Sequence, residues 1–137
     1  MYTTHKIGFR EALQLIDAAL LEAEKISKPV AVAVAGPEGE LISFLRMDGT
    51  SAAASVIARN KAYTAARDRK TTREMGEFMS TQNRPQAYWG DRKITGFGGG
   101  VPVIANGEVI GGIGVSGLSE AEDERICSAA IKTVYGY

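Results

Sequence analysis

Val101-Pro102-Val103-Ile104-Ala105-Asn106-Gly107-Glu108-Val109-Ile110-Gly111-Gly112-Ile113-Gly114-Val115 is the stretch that decides the fold of this chain. An Asn-Gly pair between two apolar alternations is the strongest short hairpin signal, because a two-residue type I′ turn needs positive φ at both central positions. Val101 to Ala105 and Glu108 to Val115 are therefore antiparallel neighbours. Upstream, Val30-Ala31-Val32-Ala33-Val34-Ala35 is apolar on both faces, with one face kept small, as in a central strand covered on each side. Gly36-Pro37-Glu38-Gly39 is turn chemistry, and Leu41 to Leu45 reads as the strand that returns. Two hairpins and no repeated βαβ unit predict an antiparallel α+β domain of about five strands flanked by helices, and not a doubly wound sheet.

Helical periodicity fills the rest of the chain. Phe9, Leu13, Ile16, Leu20 and Ala23 recur at helical spacing, and Lys28-Pro29 ends the pattern, so a first helix spans about 8–27. Residues 51–69 are rich in alanine, which favours helix and lets backbones approach closely. Thr71 or Thr72 caps a short helix through Phe78, with Glu74 in its first turn. Ser119-x-x-Glu122 is a capping box that opens a final helix through Tyr135, with Ile126, Ala130 and Val134 toward the sheet. Residues 80–92 are polar, aromatic and irregular, which marks a long loop.

Composition narrows the class. The 137 residues carry 16 Lys plus Arg against 16 Asp plus Glu, a net charge of zero, which argues against a dedicated nucleic-acid binder. The chain is 45% hydrophobic and 23% charged, enough to bury a core in one domain spanning 1–137. No stretch approaches the roughly 20 apolar residues of a membrane span, and the first six residues lack a signal-peptide core. One cysteine, Cys127, closes no intrachain disulfide, so a cytoplasmic setting is expected. A protein-only zinc site is improbable with a single histidine and a single cysteine.

Nine of the 16 glycines lie between Gly96 and Gly117. Gly112-Ile113-Gly114-Val115-Ser116-Gly117 matches the dinucleotide pattern G-x-G-x-x-G letter for letter. That pattern needs a further strand with an acidic residue about 20 positions on, and the chain stops at Tyr137. Packing explains the glycines better: Gly112, Gly114 and Ser116 share one strand face, on whose bare backbone the alanine helix can sit. Gly98-Gly99-Gly100 is costly to order and has two readings, a tight turn into the strand or a wall of N–H groups facing an anion.

Several blocks together resemble one family. Arg46-Met47-Asp48-Gly49, Asn60-Lys61-Ala62-Tyr63-Thr64-Ala65, Phe97-Gly98-Gly99-Gly100-Val101-Pro102-Val103, Gly107-Glu108-Val109-Ile110-Gly111 and Ile113-Gly114-Val115-Ser116-Gly117, followed by Glu122-Asp123-Glu124, look like the GlcG/HbpS or haem-degrading domain family, which includes the C-terminal domain of PduO-type proteins. The resemblance covers nearly the whole chain. It implies a profilin-like fold, homo-oligomers (dimer, tetramer or octamer), and haem or another tetrapyrrole as ligand, with roles in haem sensing or degradation. Gln86-Ala87-Tyr88-Trp89-Gly90 departs from the family pattern, so ligand choice can differ with that loop.

Candidate residues follow from chemistry. His5 is the only imidazole and so the default haem-iron ligand, although a terminal tail is prone to fray. Tyr63, Tyr88, Met47 and Cys127 are other axial types, with Tyr63 also readable as core and Cys127 as a buried, inert thiol. Arg46 and Lys61 suit carboxylates such as propionates, and Gly98, Gly99, Gly100 and Pro102 would line the same ligand. Asp48 is either a turn residue or, with Arg46, the catalytic pair of an enzyme acting on a small carboxylate metabolite; a non-catalytic accessory subunit is the other alternative. Asp123 and Glu124 are expected at the dipole of the final helix.

Overall fold

A computed structural model describes all 137 residues. The elements are α1 (Phe9–Lys25), β1 (Ala31–Ala35), β2 (Leu41–Arg46), α2 (Ala52–Asp68), α3 (Thr72–Thr81), a 3-10 turn (Gln86–Trp89), β3 (Gly100–Ala105), β4 (Glu108–Ser116) and α4 (Glu120–Tyr135). The β3–β4 hairpin turns as its residues dictate, with φ of 52° at Asn106 and 76° at Gly107. Capping boxes form at both expected places, Thr71 with Glu74 and Ser119 with Glu122.

The strands order β2-β1-β4-β3, all antiparallel. There are four of them, against the five expected. The strand read from Glu108 to Val115 runs unbroken for nine residues as β4, with β3 bonded along one side of it and β1 along the other. The inner strands β1 and β4 are covered on both faces, which is why every residue of Ala31–Ala35 is buried.

Period-two alternation divides the two faces. Val30, Val32, Val34, Val103, Ile113 and Val115 pack with Leu15 and Ile16 of α1 and Ile126, Cys127, Ala130 and Ile131 of α4 in the main core. Ala31, Ala33 and Ala35 form the other face and meet Ala58 and Ala62 of α2. On α1 the expected stripe is rotated: Ala12, Leu15, Ile16, Ala19 and Ala23 face the core, while Phe9 and Leu13 are 63% and 51% exposed. Small alanines beside the sheet allow close approach, so the bulky pair is left on the outer flank.

The glycine face is a seat for α2. A Cβ on Gly112 would lie 2.6 Å from the Ala62 carbonyl oxygen, and one on Gly114 would lie 2.6 Å from the Ala62 nitrogen. Those contacts are with backbone, which cannot yield, so the packing reading of the G-x-G-x-x-G segment holds. Gly114→Ala should therefore lower the unfolding free energy by about 1–3 kcal/mol through overpacking, measured by urea denaturation of the purified protein.

Candidate functional site

Lys61 leaves α2 midway along this seat, beside Gly114. Its ammonium donates to the Val115 carbonyl at 2.8 Å and to Asp123 Oδ2 at 3.1 Å, and the two side chains are 3% and 2% exposed. Burial pushes the Asp123 carboxyl above its ordinary value, while the Lys61 ammonium and the Leu118 N–H oppose that shift. Asp123 stands in the first turn of α4 as expected, but its main partner is Lys61. The ion pair thus ties α2, the end of β4 and the start of α4 together.

The triple glycine closes over the same junction. Gly99 has φ +121°, and a Cβ there would lie 2.7 Å from both the Lys61 Nζ and the Asp123 Cβ. The Gly98 N–H donates to Glu120 Oε1 at 3.1 Å and the Gly100 N–H to Thr72 Oγ1 at 2.8 Å. The Gly99 carbonyl accepts from the Val115 N–H and from the Cys127 thiol. The chain's own Glu120 carboxylate and Thr72 hydroxyl occupy two of the three donors, so of the two readings the packed turn describes this segment.

Arg46, Met47 and Asp48 sit elsewhere. Arg46 Nε donates to the Thr50 carbonyl at 3.0 Å, Met47 Sδ accepts from the Val30 N–H at 3.4 Å, and Asp48 is exposed. With Leu20, Glu24 and Leu45 they line a shallow hollow of about 430 Å³. Arg46 and Gly100 share one end of the sheet but occupy its two opposite edge strands, three strand spacings or about 14 Å apart. The convergence of Arg46, Asp48, Lys61 and the glycines at one edge is therefore not realised within a single chain. Pro102 lies mid-strand on the outer edge, opposite Gly112.

A larger cleft opens at the other end of the sheet. Val56, Arg59, Asn60 and Tyr63 of α2, the β1–β2 turn from Glu38 to Leu41, and Arg92 and Lys93 enclose about 710 Å³. Tyr63 organises it. Its hydroxyl donates to Asp91 Oδ2 at 2.6 Å, and the Arg67 guanidinium and Lys93 ammonium lie 4.8 and 5.2 Å from its ring centroid. The Tyr63 hydroxyl bond holds the Asp91 carboxyl below the usual carboxylate range, and the same bond pushes the Tyr63 phenol up. Tyr63 is thus a protonated donor and an aromatic wall, a poor source of phenolate. Arg59, Arg92 and Lys93 line the cleft together with Glu38 and the Lys6-paired Glu40, and Leu41 and Val56 give it apolar surface.

The N-terminal tail is bonded to the sheet end from His5 to Ile7. His5 N–H donates to Glu108 Oε1 at 2.9 Å and His5 Nδ1 faces Glu108 Oε2 at 3.0 Å. Lys6 Nζ donates to Glu40 Oε2 at 2.8 Å, and the Ile7 N–H bonds the Ile110 carbonyl. A carboxylate on Nδ1 fixes an imidazole with Nε2 as the available ligand atom, and the ring is 77% exposed. Tyr88 is exposed beneath the Arg84 guanidinium. Cys127 is fully buried, and burial pushes its thiol well up. No three His, Cys, Asp or Glu side chains cluster to hold a metal ion.

Sequence reasoning did not select Arg59, Arg92, Lys93, Asp91 or Glu108. Helical spacing was a usable signal for part of the set, since positions 56, 59, 60 and 63 share one face of α2. The loop residues and the turn join them only through folding.

The fold and cleft define a profilin-like α+β domain with a surface cleft that combines apolar surface, three cations and two carboxylates. Residues 7–132 match the family described as haem degrading protein HbpS-like, and the chain belongs to that family. It is 38% identical over 105 residues to protein GlcG of Escherichia coli, covering 77% of each chain. A double mutant of Streptomyces reticuli HbpS superposes with a TM-score of 0.90 at 28% identity, covering 100% of this chain and 92% of that one. The structure of PduOC in complex with haem matches with a TM-score of 0.88 at 28% identity, covering 95% and 96%.

Two outcomes test this geometry. Lys61→Met strands the Asp123 carboxylate and should cost about 3–5 kcal/mol, with Lys61→Met/Asp123→Leu recovering much of it, as read by chemical denaturation. Cys127 should resist thiol reagents in the native protein and react on denaturation; rapid native labelling would place it nearer the surface.

Proposed function

We propose that this protein is a cytoplasmic homo-oligomer that binds haem or a closely related tetrapyrrole, in haem sensing or degradation. The observation that carries this reading is its likeness, over nearly the whole chain, to PduOC in complex with haem. The residues present fit such a ligand. A flat dicarboxylate macrocycle needs apolar surface, cations for its propionates and a donor for its iron. Leu41, Val56 and the Tyr63 ring supply the first, and Arg59, Arg92 and Lys93 the second. His5, an exposed imidazole whose Nδ1 is held by Glu108, lies outside the cleft lining; its neighbour Lys6 bonds Glu40 of the cleft turn, and on that proximity alone His5 is the proposed donor to the iron. Bound haem would supply an iron centre for redox or ligand-sensing chemistry. The chain's own groups bind and orient: guanidinium groups take carboxylates bidentately, and the Tyr63–Asp91 bond keeps the aromatic wall in place.

Titration of the full chain with hemin, followed by absorbance, should give a saturating, shifted Soret band at a defined stoichiometry. His5→Ala should change that band, and Arg59→Ala with Arg92→Ala should weaken binding about ten-fold, equal to about 1.4 kcal/mol. Binding that never saturates would refute the haem reading. A saturating band unchanged by His5→Ala would remove His5 as the iron ligand.

A further inference from the structure

The two edges of the sheet are finished differently. On β3 each outward position is dealt with: the Gly100 N–H bonds Thr72, Pro102 has no N–H, and both backbone groups of Ile104 bond the Tyr137 hydroxyl. On β2 the Met47 N–H bonds Val30, so by period two Leu45 and Ser43 turn their backbone groups to β1 while Phe44 and Arg46 turn theirs outward. No side chain covers them. Leu-Ile-Ser-Phe-Leu-Arg, 41–46, also carries no proline or lysine to discourage pairing.

Register fixes which side chains lie along this edge. Leu41, Phe44 and Arg46 stand opposite Ala35, Ala33 and Ala31, so all three project on the α2 face. Leu41 and Val56 are 53% and 49% exposed beside them. We propose that β2 pairs with β2 of a second copy of this chain across a two-fold axis at Phe44, and that the partner subunit's Arg46 thereby enters the cleft. A strand paired with itself about a two-fold axis is antiparallel, as the rest of the sheet already is. Two steps from Phe44 in one direction is Arg46. Two steps in the other, with the bulge at Ile42 and Ser43 counted once, is Leu41. The pairing therefore sets the partner subunit's Arg46 opposite Leu41, on the same face, beside Glu38 and Glu40 of the cleft turn. Charge complementarity favours a second copy as the occupant: Arg46 has no carboxylate partner in its own chain, and Glu38 forms no salt bridge, with only the Lys6 ammonium, itself bonded to Glu40, near it. The cation that a single chain holds at the far end of β2 becomes part of the other copy's site, able to meet a ligand carboxylate there.

This inference rests on the homo-oligomer reading above, and its test separates the two. Light scattering of the full chain should show dimers or multiples of dimers, in which the Phe44 and Arg46 amides are protected from hydrogen exchange. Arg46→Glu, an exposed substitution that the fold tolerates, should raise the dimer dissociation constant about ten-fold or more, and Glu38→Lys/Arg46→Glu should restore it. Arg46→Ala should weaken hemin binding in the dimer. An assembly whose Phe44 and Arg46 amides exchange freely, or whose dissociation constant Arg46→Glu leaves unchanged, overturns the β2 seam and leaves oligomeric haem binding standing. A monomer at every concentration overturns both the seam and the oligomer, while the hemin titration decides haem by itself.

Discussion

Helix α2 rests on the backbone of the sheet, and the rest of the molecule is arranged around that contact. Gly112 and Gly114 of β4 and the alanines of β1 leave no side-chain layer between them, so helix and sheet meet through peptide groups and methyls. Such a contact has a single register, because any added carbon meets an atom that cannot move aside. The Lys61–Asp123 pair then locks the middle of the helix to β4 and α4. Replacing a buried ion pair with apolar groups is often neutral, so the value of this one lies in position: it holds three elements and the Gly98–Gly100 turn in one arrangement.

Seating α2 so low has a consequence for chemistry. The buried side of the helix carries alanine and the anchoring lysine, while its opposite flank carries Val56, Arg59, Asn60 and Tyr63 to the cleft. A rigid helix therefore presents the cleft's cation and aromatic wall, and the Tyr63–Asp91 bond fastens the otherwise irregular loop to it. The haem reading proposed for that cleft rests on family membership and on the likeness to PduOC in complex with haem, since its shape alone names no ligand.

The backbone plan was readable residue by residue where local chemistry governs. Asn106-Gly107 admits one tight turn, the two capping boxes mark helix starts, and the alternation of Val and Ala in 30–35 separates a large face from a small one. Reading failed where two local signals competed. Phe9 and Leu13 form a plausible apolar stripe, yet the core took the neighbouring face because alanine fits closer to the sheet.

The candidate site was less legible, for a reason of the same kind. Lys61 was read as a receiver of ligand carboxylates, and nothing in its neighbours tells that Asp123, 62 residues away, pairs with it in the core. His5 stood out as the only imidazole, whereas its orientation by Glu108 required the hairpin to fold beside the tail. The sequence by itself determined the elements, their capping, the small-residue face and the family, because these depend on φ preferences, side-chain volume and spacing along one segment. Only the tertiary structure decided which charges are buried, which glycines are sealed and which cations share a cleft. Those outcomes depend on distances between segments far apart in the chain, and burial, not residue type, sets what a charge can do there.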